Sequence, residues 1–201
     1  MITETGLVRF WLLLTEIMIL DLELQNPGPT ASASLNFARA KSLQTCLSVV
    51  NRFFENFLSM KPQEHSGLHF HYWLHYMRCA RVVYRFLLTE DPAWDSNTIL
   101  ESVDIMGALQ RGAEVCKAIP QATNLESDGR EAWTIFSTNL LRIRTIWTEA
   151  LVRAGVMPVA EGAVAVEAQS DPFDSMGLDD FYSFDLFGDS WESPRLRTGT
   201  Y

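Results

Sequence analysis

An all-α fold, an irregular bundle of about five main helices with a disordered acidic C-terminal tail, is predicted by three observations. Apolar residues recur at helical steps of three and four through most of residues 1–154. No stretch of useful length alternates apolar and polar residues as a half-buried strand would. Breaker clusters at Asn26-Pro27-Gly28-Pro29, Lys61-Pro62 to Gly67, Asp91-Pro92 and Pro120 to Gly129 cut the periodic pattern into helix-sized pieces. With 201 residues, 47% of them apolar, the chain is long enough for one sizeable core and not for two. The expected division is a helical domain over 1–154 and a tail over 155–201.

The first helix is expected from Thr3 to Leu24. Its run LVRFWLLLTEIMILDLEL is apolar enough to suggest a membrane span, but Arg9, Glu16, Asp21 and Glu23 interrupt it. A charge at the centre of a span costs roughly 2.5–3.5 kcal/mol on insertion scales, and Thr3-Glu4 is not the basic flank of a signal peptide. A core helix is the simpler reading, and no membrane partner is expected. A second helix spans about Ser34 to Met60, with Leu43, Leu47, Val50, Phe54, Phe57 and Leu58 on one face.

The third helix, within Leu68 to Asp95, is the most apolar. Phe70, Trp73, Leu74, Met77, Ala80, Val83, Tyr84, Leu87 and Leu88 form a wide apolar sector, and His71, His75, Arg78, Arg81 and Arg85 share the opposite stripe. Asp91-Pro92 stops it, because proline excludes the α conformation from the residue before it. A fourth helix begins near Thr98, with Glu101 completing a capping box, and buries Ile99, Val103, Met106, Leu109 or Gln110, Ala113 and Cys116. The fifth, about Arg130 to Ala154, buries Trp133, Phe136, Leu140, Ile143, Trp147 and Leu151. From Val156 to Gln169 the residues are small and low in complexity.

Charge is unevenly spread. From Glu161 onward two arginines stand against nine carboxylates, a net −7, which leaves 14 basic and 16 acidic groups in residues 1–160. The folded part is nearly neutral and lacks the basic excess that binding a phosphate backbone needs. Cys46, Cys79 and Cys116 are widely spaced in apolar helical contexts, which fits buried thiols in a reducing compartment.

The run Arg52-Phe53-Phe54-Glu55-Asn56-Phe57-Leu58-Ser59-Met60-Lys61-Pro62, then Gly67-Leu68 with an aromatic helix around Trp73, then Leu87-Leu88-Thr89-Glu90-Asp91-Pro92-Ala93-Trp94-Asp95, carries a resemblance. It is similar to the helical regulatory domain, or middle homology region, of fungal-specific transcription factors, over roughly Ser34 to Ile119. The first helix resembles the one that precedes that region. The resemblance implies a nuclear transcription regulator whose complete form reads DNA through an N-terminal binuclear zinc cluster. Six clustered cysteines are absent here, so no zinc ligand is carried over and no cofactor is expected in this chain. DNA would be reached only through a module missing from these residues, either because this is a C-terminal portion or because the protein works without one.

Few residues suggest chemistry. His71, His75 and Cys79 at four-residue steps could converge on a metal, but no fourth ligand is near and Tyr72 stands where a zinc-protease helix needs Glu; no metal is expected. Arg78, Arg81 and Arg85, with the two histidines, could edge a cleft for a small anionic effector. The plainer alternative is that they face solvent or pair with Glu101 and Asp104. Ser66-Gly67 beside His65 and His69 reads as a helix N-cap rather than a nucleophile, and no enzyme is expected.

In the tail, Leu178, Phe181, Phe184, Phe187 and Trp191 recur among Asp179, Asp180, Asp185 and Asp189. Carboxylates that keep aromatics solvated are the composition of acidic activation segments that contact coactivators. A plain acidic terminus, or a tail docked on the helices, would have the same composition; the resemblance favours activation. The runner-up function is a helical scaffold or ligand-sensing module that acts on a partner regulator, and a homodimer is compatible with either.

Overall fold

The computed structural model describes residues 4–25, 33–68, 71–123, 125 and 127–158. They form seven helices: α1 (Glu4–Gln25), α2 (Ala33–Leu58), α3 (Pro62–Ser66), α4 (His71–Leu88), α5 (Ser96–Ser102), α6 (Ile105–Thr123) and α7 (Ser127–Arg153), with no strand among the described residues. The five long helices are those expected from periodicity, and α3 and α5 are short additions. The breaker at 26–29 and the tail from residue 159 onward lie outside the described residues.

Helix α4 is the centre. It contacts α1, α2, α5, α6 and α7, while α1 packs along α2, α6 along α7, and the single turn of α3 lies against α6. The reason is the width of its apolar face. Trp73, Tyr76, Met77, Cys79, Ala80, Val82, Val83, Phe86 and Leu87 are all buried, more of the circumference than one neighbour can cover. Leu74 and Leu88, expected inside this face, are exposed, Cys79 is buried as expected of a free thiol, and Tyr76, Val82 and Phe86 are buried without having been expected in the sector. The true sector is rotated because α1 and α2 cover the side that a lone helix would leave wet.

Rings from five helices meet around Trp73. Phe57 stands edge-on to it at 4.9 Å, His65 lies at 5.3 Å, and Trp133 and Phe136 approach at 5.7 and 5.3 Å. Phe10 joins from α1 through Phe53, at 5.0 Å. On the next turns of α4, Tyr84 stacks on Trp147 of α7 with centroids 4.2 Å apart. Such pairs add about 0.5–1.5 kcal/mol each beyond the area they bury.

Three boundaries differ from expectation for local reasons. The expected fourth helix is two: α5 is capped by Asp95, whose carboxylate accepts from Thr98 N and Thr98 Oγ1, both at 2.9 Å, so Thr98 is not the cap. Val103 then turns extended, and Asp104 starts α6 by accepting from Gly107 N at 2.8 Å. A Cβ on Gly107 would meet that carboxylate, so a larger residue there would have to shift the exposed Asp104 side chain. Lys61 to Ser66, expected as a loop, closes one helical turn with Pro62 leading and Glu64 bonding back to Lys61 N. Helix α6 continues past Pro120 to Thr123, whose hydroxyl donates to Ile119 O at 2.7 Å, and α7 starts at Ser127, ahead of the expected Arg130.

Helices α4 and α6 meet at one polar contact inside the core. The Tyr76 hydroxyl donates to Ala108 O at 2.6 Å, and a Cβ on Gly112 would come within 2.9 Å of that hydroxyl. Burial pushes the Tyr76 phenol well above its ordinary pKa, so it stays a donor. Tyr76→Phe should cost about 1–2 kcal/mol, because Ala108 O loses its partner in a dry site. Gly112→Ala should cost a similar amount, about 1–3 kcal/mol, by driving the ring off it. Urea unfolding of each variant checks both; unchanged stability in either would contradict this packing.

Candidate functional site

The stripe singled out on α4 is partly covered by α1. At its N-terminal end the indole of Trp11, on α1, lies 5.3 Å from the His75 ring and 6.3 Å from the His71 ring, and Phe10 packs on Tyr72 at 4.8 Å. His71 Nε2 and His75 Nε2 are 2.6 Å apart, so one must donate and the other accept; both cannot be protonated there. Burial, then the charges of His71 and Arg78, hold the His75 pKa down to about 4. His71 is exposed and Arg78 and Arg81 are half-buried.

At the C-terminal end Arg85 is ion-paired with Asp21 of α1. Asp21 is itself buried, and its second oxygen accepts from Gln25 Nε2 at 2.8 Å. Burial lowers the Arg85 pKa, and the guanidinium also lies over the Phe86 ring at 5.2 Å. The plainer expectation was solvent, or pairing with Glu101 and Asp104. The structure instead pairs Arg85 with an acid 64 positions upstream, and Asp104 with Arg111 at 3.5 Å on the surface. The signal was present: Asp21 occupies the same face of α1 as Ile17 and Leu24, at steps of four and three, where an acid demands a buried partner.

A second ion pair closes the far end of the domain. Arg39 of α2 donates to Asp91 at 2.6 Å and to Leu24 O at 3.2 Å, and lies over Trp94 at 5.4 Å. Asp91 therefore ties the end of α4 to α2 in addition to ending the helix, and Arg39 satisfies a carbonyl at the end of α1.

His65 is buried, in contact with Phe57 at 4.8 Å and Trp73, with polar support from the Phe57 backbone and the Glu64 charge, and Trp73 Nε1 beside it lacks a hydrogen-bond partner among the described residues. Desolvation lowers its pKa to about 4. Ser66 lies within α3, donating to Gln63 O at 2.8 Å, and is not the cap of α4. Cys46, Cys79 and Cys116 are free buried thiols, with burial raising the Cys46 pKa to about 12 and the other two further. Cys79 is thus turned into the core, away from His71 and His75, and no cluster of three metal-ligating side chains occurs among the described residues. No described helix is long and apolar enough to cross a membrane. Leu178, Phe181, Phe184, Phe187 and Trp191 lie outside the described residues.

A family model for the ATEG07667_C C-terminal domain matches residues 62–200, and the chain belongs to that family. The chain is also similar to the transcription factor opdL of Penicillium oxalicum, 22% identical over 142 residues. That match covers 70% of this chain and 25% of the relative, so the chain spans about a quarter of the relative's length. No solved structure matches. The resemblance to a fungal transcription factor is therefore supported, although the family match begins later than Ser34 and runs through the acidic tail.

Two measurements follow from the geometry. Since His65 has a pKa near 4 folded and an ordinary value of 6.5, the unfolded chain binds its proton first and stability falls as pH drops through that window. Between about pH 6.5 and pH 5 His65 should contribute a loss of about 1.6 kcal/mol, and the more exposed His75 a smaller one. His65→Leu should remove that histidine's share in urea titrations at the two pH values and leave the part due to His75; an equally steep loss in the variant would refute this assignment. Arg85→Ala should cost about 3 kcal/mol, and Asp21→Ala less, because losing the arginine strands the more deeply buried charge of the pair. A double-mutant cycle reads the coupling, and additive losses would mean the pair is not formed.

Proposed function

We propose that this chain is the C-terminal regulatory and activating portion of a fungal transcription regulator, acting in the nucleus. The observation that carries the reading is the similarity to a fungal transcription factor over most of this chain and a quarter of that protein. The helical body serves as the restraining or sensing module. Residues 161–201 contact a coactivator through Leu178, Phe181, Phe184, Phe187 and Trp191. DNA reading belongs to a zinc-cluster module outside these residues, since they hold neither clustered cysteines nor a basic excess.

The body is proposed to be non-catalytic. The groups an enzyme would use are spent on packing: His65 is enclosed by aromatic rings, the thiols are held protonated, and Arg85 is occupied by Asp21. A small anionic effector at the α4 edge would meet Arg78 and would have to displace Asp21 to gain Arg85. Such a displacement would loosen α1 from α4, a coupling of ligand to domain that suits a sensor.

Residues 161–201 fused to an unrelated DNA-binding module should raise reporter transcription above the module alone. Replacing Phe181, Phe184 and Phe187 with Ala should return it to background, in the fusion and in the intact protein. A silent fusion together with an unaffected intact variant would overturn the activation role.

A further inference from the structure

Helix α1 is apolar on two opposite sides, and the core uses one of them. Phe10, Leu13, Leu14, Ile17, Asp21 and Leu24 are buried against α2 and α4. Val8, Leu12 and Ile19 on the other side are 57, 66 and 62% exposed, and Trp11 borders them at 41%. With Thr15 these residues follow steps of four, three and four, the seam of a two-helix coiled coil. Thr15 does not break the seam: its hydroxyl is returned to Trp11 O at 2.8 Å, leaving the methyl for packing.

We infer that this face is a homodimer seam, on which α1 of a second copy packs antiparallel. The flanking charges select that orientation. Arg9 and Glu16 are both exposed and lie seven residues apart on the same flank of the stripe. In an antiparallel pair that flank meets itself. Setting Val8 opposite Ile19 and Leu12 opposite Thr15 of the second copy places Arg9 beside Glu16 of that copy, and Glu16 beside its Arg9. One two-fold axis thus satisfies both charges twice. In a parallel pair the flank would meet Trp11 and Met18, and neither charge would find its opposite.

The overlap of residues 8–19 is only about 17 Å long at 1.5 Å per residue, shorter than two free helices need to hold together. Here α1 is already ordered by its inner face, so association does not have to fold it. The expected dissociation constant lies in the micromolar range, roughly 1–100 µM. The inference does not depend on the transcriptional reading.

Sedimentation of the full chain from about 1 to 200 µM spans that range and should show its mass rise from one copy towards two. Leu12→Glu with Ile19→Glu should weaken association at least about tenfold, with far-UV circular dichroism unchanged because both positions are exposed. Arg9→Glu alone and Glu16→Arg alone should each weaken it about threefold or more, and the combined exchange Arg9→Glu/Glu16→Arg should restore it to within about twofold. Three results would each overturn the inference: a monomer throughout the range, a dimer indifferent to Leu12 and Ile19, or a combined exchange no tighter than the single changes. The last covers a parallel arrangement, and the first covers a face occupied by a different segment or protein.

Discussion

The architecture depends on enclosing the Trp73 side of α4. An indole, a phenol and a run of aliphatic side chains on more than half of one helix cannot be buried by a single partner, so helices must come from several directions. The α1–α2 pair arrives from one side and α6–α7 from another, while α5 covers the C-terminal end of α4. The aromatic contacts are spread over Phe10, Phe57, His65, Trp133 and Phe136, which means that no helix can leave without exposing rings that belong to others. Cooperativity follows from this sharing: the core has no pair of helices that is complete by itself.

Within that core the polar groups act as fixings between elements. Tyr76 to Ala108 O joins α4 to α6, Ser137 to Ala113 O at 3.0 Å joins α7 to α6, Arg85 to Asp21 joins α4 to α1, and Arg39 to Asp91 joins α2 to the end of α4. None is a large source of stability, because the desolvation each incurs offsets most of the attraction. Their effect is on register. A helix that slid by one turn would keep most of its apolar contacts but would strand a buried hydroxyl or carboxylate, and the alternative packings are disfavoured by that difference. The histidines act in the opposite sense: burial, with the nearby charges at His75, keeps His65 and His75 neutral down to about pH 4, and acid works against both.

The helices were legible because burial imposes a period on the chain, and α2 and α7 show it clearly: Leu43, Leu47, Val50, Phe54 and Phe57 are all buried, as are Phe136, Leu140, Ile143, Trp147 and Leu151. What periodicity cannot report is which neighbour lies outside a given face. Leu74 and Leu88 looked as apolar as Leu87, and only the positions of α1, α6 and α7 decide that Leu87 is inside and the other two are not. The break at Val103 was hidden for a related reason. Its side chain is buried on either side of the kink, so the apolar steps continue across it, and the cue was the Asp104 to Gly107 cap instead. At the candidate site the residue types on the stripe were read correctly, but Asp21, Phe10 and Trp11 come from a helix more than fifty positions away, beyond any local pattern.

That distance bears on where the folding unit starts. The family match begins at residue 62, after α1 and α2. Yet Phe54 and Phe57 of α2 are edge-on and stacked against Tyr76, Phe57 is edge-on to Trp73, and Phe10 of α1 packs on Phe53 and Phe57 behind them. Removing even one of these phenylalanine side chains carries a cost of about 3–5 kcal/mol, a large share of the 5–15 kcal/mol that holds a domain folded. Residues 62–158 alone would expose the α2 side of Trp73 and Tyr76 and leave Arg85 and Asp91 without Asp21 and Arg39. The physical domain therefore extends upstream of the matched stretch to include α1 and α2, and the two helices that the match leaves out are the ones that complete its core.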